Sequence, residues 1–227
     1  MINYSNRKRI PLFYLLILFL MQITNEDNIQ LMARYPNNYF DLAIVDPPYA
    51  ININMNMGRK KSSTSIPHTK KDWDNKPPDS AYFDELFRVS KHQIIWGGNY
   101  FKLPITKSWI FWDKFISKGV NYADGELAWT SFNHTLKKIS IAYSGFIGAD
   151  KTRIHPTQKP VRLYEWLLLN YAKPNDKVLD THLGGGSIAI ACHNLGFDLT
   201  ACEIDSDYYP MTIERLKKHQ EQLQFLV

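Results

Sequence analysis

A chain of 227 residues with 44% apolar residues can build one substantial core, and nothing in its composition demands a second domain. A formal charge of +5 and a pI near 9.0 suit a polyanionic partner such as a nucleic acid. The two cysteines, Cys192 and Cys202, lie in apolar surroundings without metal-ligand spacing, which excludes a disulfide framework or cysteine metal centre and fits a reduced, cytoplasmic setting.

At the N-terminus, Arg7-Lys8-Arg9 precedes the apolar run Ile10 to Leu20, the order of a secretory signal. No small-residue cleavage site follows, and the run is shorter than the ~20 apolar residues a membrane span needs. The chain then passes from Met21 straight into Ile23-Thr24-Asn25-Glu26-Asp27. Residues 1–20 are therefore expected to be an apolar extension outside the fold, with Met21 the functional start, an anchor being the alternative. No membrane partner is expected.

Asn28 to Tyr35 carries Ile29, Met32 and Ala33 at helical spacing, and Pro36-Asn37-Asn38 ends that helix. Leu42 to Val45 is a short unbroken apolar run, as in a strand buried on both faces of a parallel sheet. Pro47 and Pro48 cannot continue a ladder and push the residue before each into extended geometry, so Asp46 is expected at the strand's carboxyl end, where open α/β sheets bind ligands. Asp46 supplies an acceptor-only carboxylate, Pro47 a carbonyl with no competing N–H, and Tyr49 a flat ring. Two acceptors and a platform suit a planar base bearing an amino group. The plainer alternative is a turn closing a strand.

From Ala50 to Pro78 the sequence is polar and aperiodic, with Arg59, Lys60, Lys61, Lys70 and Lys71 among serines and threonines. A mobile basic loop at 50–78 beside the strand ending at Asp46 could track phosphates; the alternative is a solvated charge run. Ser80 is the expected N-cap of a helix presenting Phe83, Leu86 and Phe87. Gln93 to Trp96 reads as a buried strand, and Gly97-Gly98 as a tight loop permitting close approach of a ligand or making an ordinary turn. Ser108 to Trp112, Glu126 to Ser131 and Ile139 to Tyr143 are further strands.

Pro160 suits the first turn of an apolar helix from Val161 to Tyr171, whose N-terminus with Lys159 could hold a carboxylate. Lys177 to Asp180 is a strand, Thr181 to Gly186 a glycine-rich turn and Ser187 to Leu195 a helix capped by Gly196. A further strand, Leu199 to Cys202, ends at Glu203, placed to hydrogen-bond ribose hydroxyls. Gly184, Gly186 and Ala189 also satisfy the dinucleotide pattern, which cannot separate NAD from S-adenosylmethionine. Pro210 falls near the start of a last helix with Ile213, Leu216, Gln220 and Leu223 close to one face.

Asp46-Pro47-Pro48-Tyr49, the hexapeptide His155-Pro156-Thr157-Gln158-Lys159-Pro160 and the glycine turn after Asp180 occur together in one order. The sequence thereby resembles the DNA amino-methyltransferases that act on adenine N6 or cytosine N4, in the permuted branch where the Asp-Pro-Pro-Tyr motif precedes the glycine motif. The resemblance implies a single Rossmann-like α/β domain at 21–227, mostly parallel, with helices on both faces and a short target-recognition region around 113–150. It also implies S-adenosylmethionine as cofactor and a base flipped out of DNA. Asp46, Pro47, Pro48 and Tyr49 would be catalytic; Asp27, His155, Thr157, Lys159, Asp180, Gly184, Gly186, Ser187 and Glu203 would hold the cofactor.

The Asp form of the motif is similar to that of the adenine enzymes. No metal is expected; a restriction endonuclease partner is an open expectation, as is oligomeric state. Both cysteines lack the setting of a nucleophile, which argues against a cytosine C5 enzyme. Two departures are expected to matter: Ala50 replaces the glycine common after the tetrapeptide, and Gly185 replaces a serine, which should loosen the turn. A cytosine N4 enzyme, an NAD-linked oxidoreductase and an inactive DNA-binding relic are the rival readings.

Overall fold

A computed structural model describes residues 20–50, 76–116, 123–142 and 153–224, with the side chains of 223 and 224 left out. Strands β1 (Met21–Thr24), β2 (Phe40–Val45), β3 (Ser90–Trp96), β4 (Trp109–Asp113), β5 (Gly125–Thr130), β6 (Lys137–Ser140), β7 (Lys177–Asp180) and β8 (Asp198–Cys202) form one eight-stranded sheet in the order β1-β8-β7-β2-β3-β5-β4-β6. All pairings are parallel except the two made by β5, against β3 and β4. This is the mostly parallel α/β architecture the sequence implied.

The alternation of strand side chains decides the two layers. Leu42 and Ile44 of β2 face one core with Leu163 and Leu167 of α3 (Val161–Tyr171), Ile188 and Ala191 of α4 (Ser187–Leu195) and Leu216 of α5 (Tyr208–Gln224). Ala43 and Val45 face the other, with Leu31 and Met32 of α1 (Asn28–Ala33) and Tyr82, Phe83 and Leu86 of α2 (Ser80–Val89). Apolar residues on both faces of β2 explain its unbroken run.

Some boundaries differ from the sequence reading. Asp79, not Ser80, caps α2, its carboxylate accepting from Tyr82 N at 3.1 Å. Ile29, read as part of the apolar face of α1, is exposed, and Leu31 is buried in its place. β6 starts at Lys137, pairing with β4 from there. Cys192 and Cys202 are buried and free, as expected.

The consequence for function is topological. The chain leaves β2 through α2 toward β3 on one side, and leaves β7 through α4 toward β8 on the other. Between β2 and β7 the order reverses, and the crevice beyond their carboxyl ends is where open α/β sheets take ligands.

Candidate active site

A cavity of ≈ 390 Å³ opens at that crevice. Asp46 and Pro48 line it from just beyond β2, Thr181 to Gly185 from the glycine turn, Ser187 from the start of α4, Glu203 from just beyond β8, and His155 to Lys159, without Pro156, from the segment before α3. The volume lies within the ~300–1,000 Å³ typical of small-ligand sites.

Asp46 sits just beyond β2 with 15% of its side chain exposed. Its Oδ1 accepts from the Tyr49 hydroxyl at 2.5 Å, and its Oδ2 pairs with the Lys159 ammonium. Lys159 Nζ also stands 3.3 Å from Tyr49 Oη and 3.1 Å from Glu126 Oε2, while Glu126 Oε1 pairs with Lys114. Burial raises the Asp46 pKa, Lys159 opposes this and Glu126 adds to it. Burial also pushes on Lys159, but its two carboxylates win and hold it above the usual lysine value. Glu126 is likewise pushed up by burial yet held down to about 2 by Lys159 and Lys114. Two carboxylates and two ammonium groups thus alternate through this site, and mutual neutralisation makes burying them tolerable.

Burial, then the neighbouring Asp46 charge, raises the Tyr49 phenol well above its ordinary value, so it stays a hydrogen-bond donor. Its ring stacks on Tyr100 at 5.1 Å and 12°. Gly97 has φ +65°, and a Cβ there would fall 2.2 Å from the Tyr49 ring; one at Gly98 would fall 2.4 Å from Trp129 Cβ. The close approaches at this glycine pair are therefore made by the protein's own aromatics. Ala50 has φ +58°, a left-handed backbone that favours glycine, which gives a physical reason for the family's usual residue there.

In the glycine turn, Glu203 accepts from Gly184 N at 2.7 Å through Oε2 and from Asp205 N at 2.9 Å through Oε1. Each oxygen retains a lone pair for a hydroxyl ligand. Gly186 has φ +71°, and a Cβ on it would come within 2.5 Å of Thr212 Cγ2. A Cβ on Gly185 would lie 2.4 Å from Oε1 of the buried Gln158. The turn is therefore tight at Gly185, and a serine would fit only if Gln158 moved; the loosening expected from sequence is corrected by this packing.

Asp180 is buried beneath the turn and accepts from His182 N at 2.9 Å; burial raises it from 3.8 to about 8. Neither it nor Gly186 lines the cavity. His155 and Thr157 do, with Thr157 Oγ1 3.1 Å from His155 Nδ1. Ser187 lines it from the first turn of α4.

Asp27 caps α1 through Oδ1, which accepts from Ile29 N at 2.8 Å, and the neighbouring Glu26 and Asn28 line the cavity. Lys159, assigned by sequence to a cofactor carboxylate, directs its ammonium to Asp46 and Glu126. Arg59, Lys60, Lys61, Lys70 and Lys71 lie outside the described residues. Sequence reasoning missed Glu126, the second residue of β5, and Lys114, the residue after β4.

The chemistry of the lining fits S-adenosylmethionine. Glu203 offers acceptors for ribose hydroxyls, and Gln158 Nε2 is a buried donor in the cavity wall without a partner among the described residues, suited to a carboxylate. His182 is held neutral, burial lowering it to about 3, so it adds no charge.

Fold and site together define an α/β enzyme with a nucleoside-cofactor crevice opening onto a strand-end carboxylate. A family model described as DNA methylase, of the N6/N4 type, matches residues 96–214, more than half of the chain, and the chain belongs to that family. The match begins after Asp46 to Tyr49. The protein YubD of Escherichia coli (strain K12) is 26% identical over 223 residues, covering 87% of this chain and 91% of that one. The type II methyltransferase M.HpaI of Haemophilus parainfluenzae is 39% identical over 62 residues, which cover 27% of this chain and only 20% of M.HpaI.

Among solved structures, the M1.HpyAVI–SAM complex superposes with a TM-score of 0.54 at 19% identity, covering 86% of this chain and 100% of its own. The cytosine-N4-specific PvuII DNA methyltransferase gives 0.58 at 14%, covering 89% and 90%. These last two likenesses show the fold. Among the described residues no helix is long and apolar enough to cross a membrane.

Proposed function

We propose that this DNA methyltransferase transfers the methyl group of S-adenosylmethionine to the exocyclic N6 of adenine in DNA. The observation that carries the reading is Asp46, a strand-end carboxylate in the wall of the same cavity as Glu203 and the glycine turn. The bound cofactor supplies a sulfonium-activated methyl carbon. Asp46 and the Pro47 carbonyl accept the two amine hydrogens, drawing the nitrogen lone pair out of conjugation and toward that carbon. The lone pair forms the N–C bond as the C–S bond breaks with its electrons going to sulfur, and the surplus amine proton leaves through Asp46 to water. Positioning and electrostatics carry most of the rate. Tyr49 is outside the cavity lining and one face of its ring stacks on Tyr100, so a base would stack on its other face, an interaction worth about 1–3 kcal/mol.

Cytosine also presents an exocyclic amine, and the same acceptors would serve it; the Asp form of the motif favours adenine. A cognate restriction endonuclease is the partner we propose. The test is to incubate the protein with unmethylated DNA and labelled S-adenosylmethionine, digest to nucleosides and identify the product by mass spectrometry, with Asp46→Ala as control. Labelled N6-methyladenine absent from the control is expected; labelled N4-methylcytosine would replace the substrate and keep the chemistry.

A further inference from the structure

The ammonium of Lys159 occupies Asp46 Oδ2, an acceptor that the target amine needs. Its second carboxylate, Glu126, lies on β5 with Oε2 3.1 Å from Nζ, and beyond that ion pair this buried oxygen has no hydrogen-bond partner among the described residues. Lys159 is itself only 4% exposed, so it cannot retreat to water. Displacing it from Asp46 without a second partner would leave a buried ammonium unpaired, which is strongly unfavourable.

We propose that Glu126 is a positioning residue that receives the Lys159 ammonium when the target amine takes its place on Asp46. The inference rests on the reading of Asp46 as the acceptor of that amine. The neighbourhood supports a short shift. Lys114, just after β4, neutralises the other oxygen of Glu126, so gaining Lys159 does not depend on Glu126 losing a partner. The Lys159 ammonium also lies 5.3 Å from the Trp96 ring centroid, an aromatic face suited to a cation. Charge on Asp46 is felt from every side: Lys159 ahead of α3, Glu126 on β5, Tyr49 after β2, Tyr82 on α2, Tyr164 on α3 and Asp180 on β7.

Two readouts test the proposal on the full chain, starting with Glu126→Gln, which keeps the shape and removes the charge. Glu126→Gln is expected to lower kcat by about 10- to 100-fold, the scale of a misplaced reacting group, with cofactor affinity unchanged. In a Lys159→Met background it should cost almost nothing further, because no ammonium remains to be received. Losses that multiply independently would overturn the proposal. The second readout needs no activity: the Asp46 carboxyl is titrated by carbon-13 NMR in each variant. Lys159→Met should move its midpoint up and Glu126→Gln should move it down; equal directions, or no movement, would overturn the proposal, since a merely structural disturbance would not give opposite signs. If Lys159→Met fails to fold, Glu126→Gln alone still carries the titration. A wild-type protein that methylates no base would sink the methyltransferase reading, while the titration would still decide whether Glu126 and Lys159 set the charge on Asp46.

Discussion

Asp46 and Asp180 stand at the carboxyl ends of adjacent strands, β2 and β7, and are treated in opposite ways by their surroundings. Asp46 has an ammonium on one oxygen, a phenol on the other and a window on the cavity. Among the described residues Asp180 accepts from one backbone N–H, forms no ion pair and has no face on the cavity, and burial raises it to about 8 against a weaker opposing pull from Lys159. The comparison teaches that burial raises both strand-end carboxyls, and that only the one with a paired ammonium has this rise opposed at contact distance. Without that contact, Asp180 is a neutral strut under a turn.

The sharpest way to break the comparison is Asp46→Ala. Methyl transfer should fall by at least about 10³-fold, the upper scale for losing one transition-state stabilising group, while calorimetry should find cofactor affinity nearly unchanged. A variant that retained most of its rate would mean that Asp46 does not hold the target amine.

Glu203→Ala comes next, because it removes both a candidate hydroxyl acceptor and the anchor of Gly184. Cofactor affinity should drop by about 10-fold or more, in line with a charged hydrogen bond of ~1.5–3 kcal/mol. Unchanged binding in the same calorimetric assay would take Glu203 out of the cofactor site.

Asp180→Asn should leave the methylation rate within about 3-fold, since the amide keeps the acceptor for His182 N and a difference under ~0.7 kcal/mol is expected. Its signature lies in the pH dependence of stability. A carboxyl raised from 3.8 to about 8 in the folded state makes its full contribution below its unfolded value and loses it as pH rises through about 8. Thermal melts of the wild type should therefore decline across that window, and those of Asp180→Asn should be flatter. Melts of identical slope would show that Asp180 is ionised in the folded protein.

The smallest effect is expected at Ala50. Ala50→Gly relieves a left-handed backbone at φ +58° and should stabilise by up to about 1 kcal/mol. A denaturant midpoint that falls would mean the side chain makes contacts worth more than the strain.

Much of the site was legible in the sequence because its chemistry is local. A proline pair dictates where β2 stops, and left-handed turns require glycine at Gly184 and Gly186, so the strand end and the cofactor turn could be placed without knowing their neighbours. Asp27 was ambiguous for the same reason: an acidic residue before a helix can be a ligand contact or a cap, and the structure shows its Oδ1 capping α1. At Gly185 the sequence suggested slack, whereas the approach of Gln158 from a different segment makes the turn tight.

What the sequence determined by itself was the kind of elements, their order and the family to which the chain belongs. What only the tertiary structure decided was which charges meet. Lys159 and Asp46 are 113 positions apart, and Glu126 comes from β5, the one strand that runs against its neighbours. Strand order and register bring these groups within hydrogen-bond distance, and burial makes their pairing obligatory. Neither follows from the spacing of residues along the chain, because long-range pairing is settled by how whole sheet faces pack.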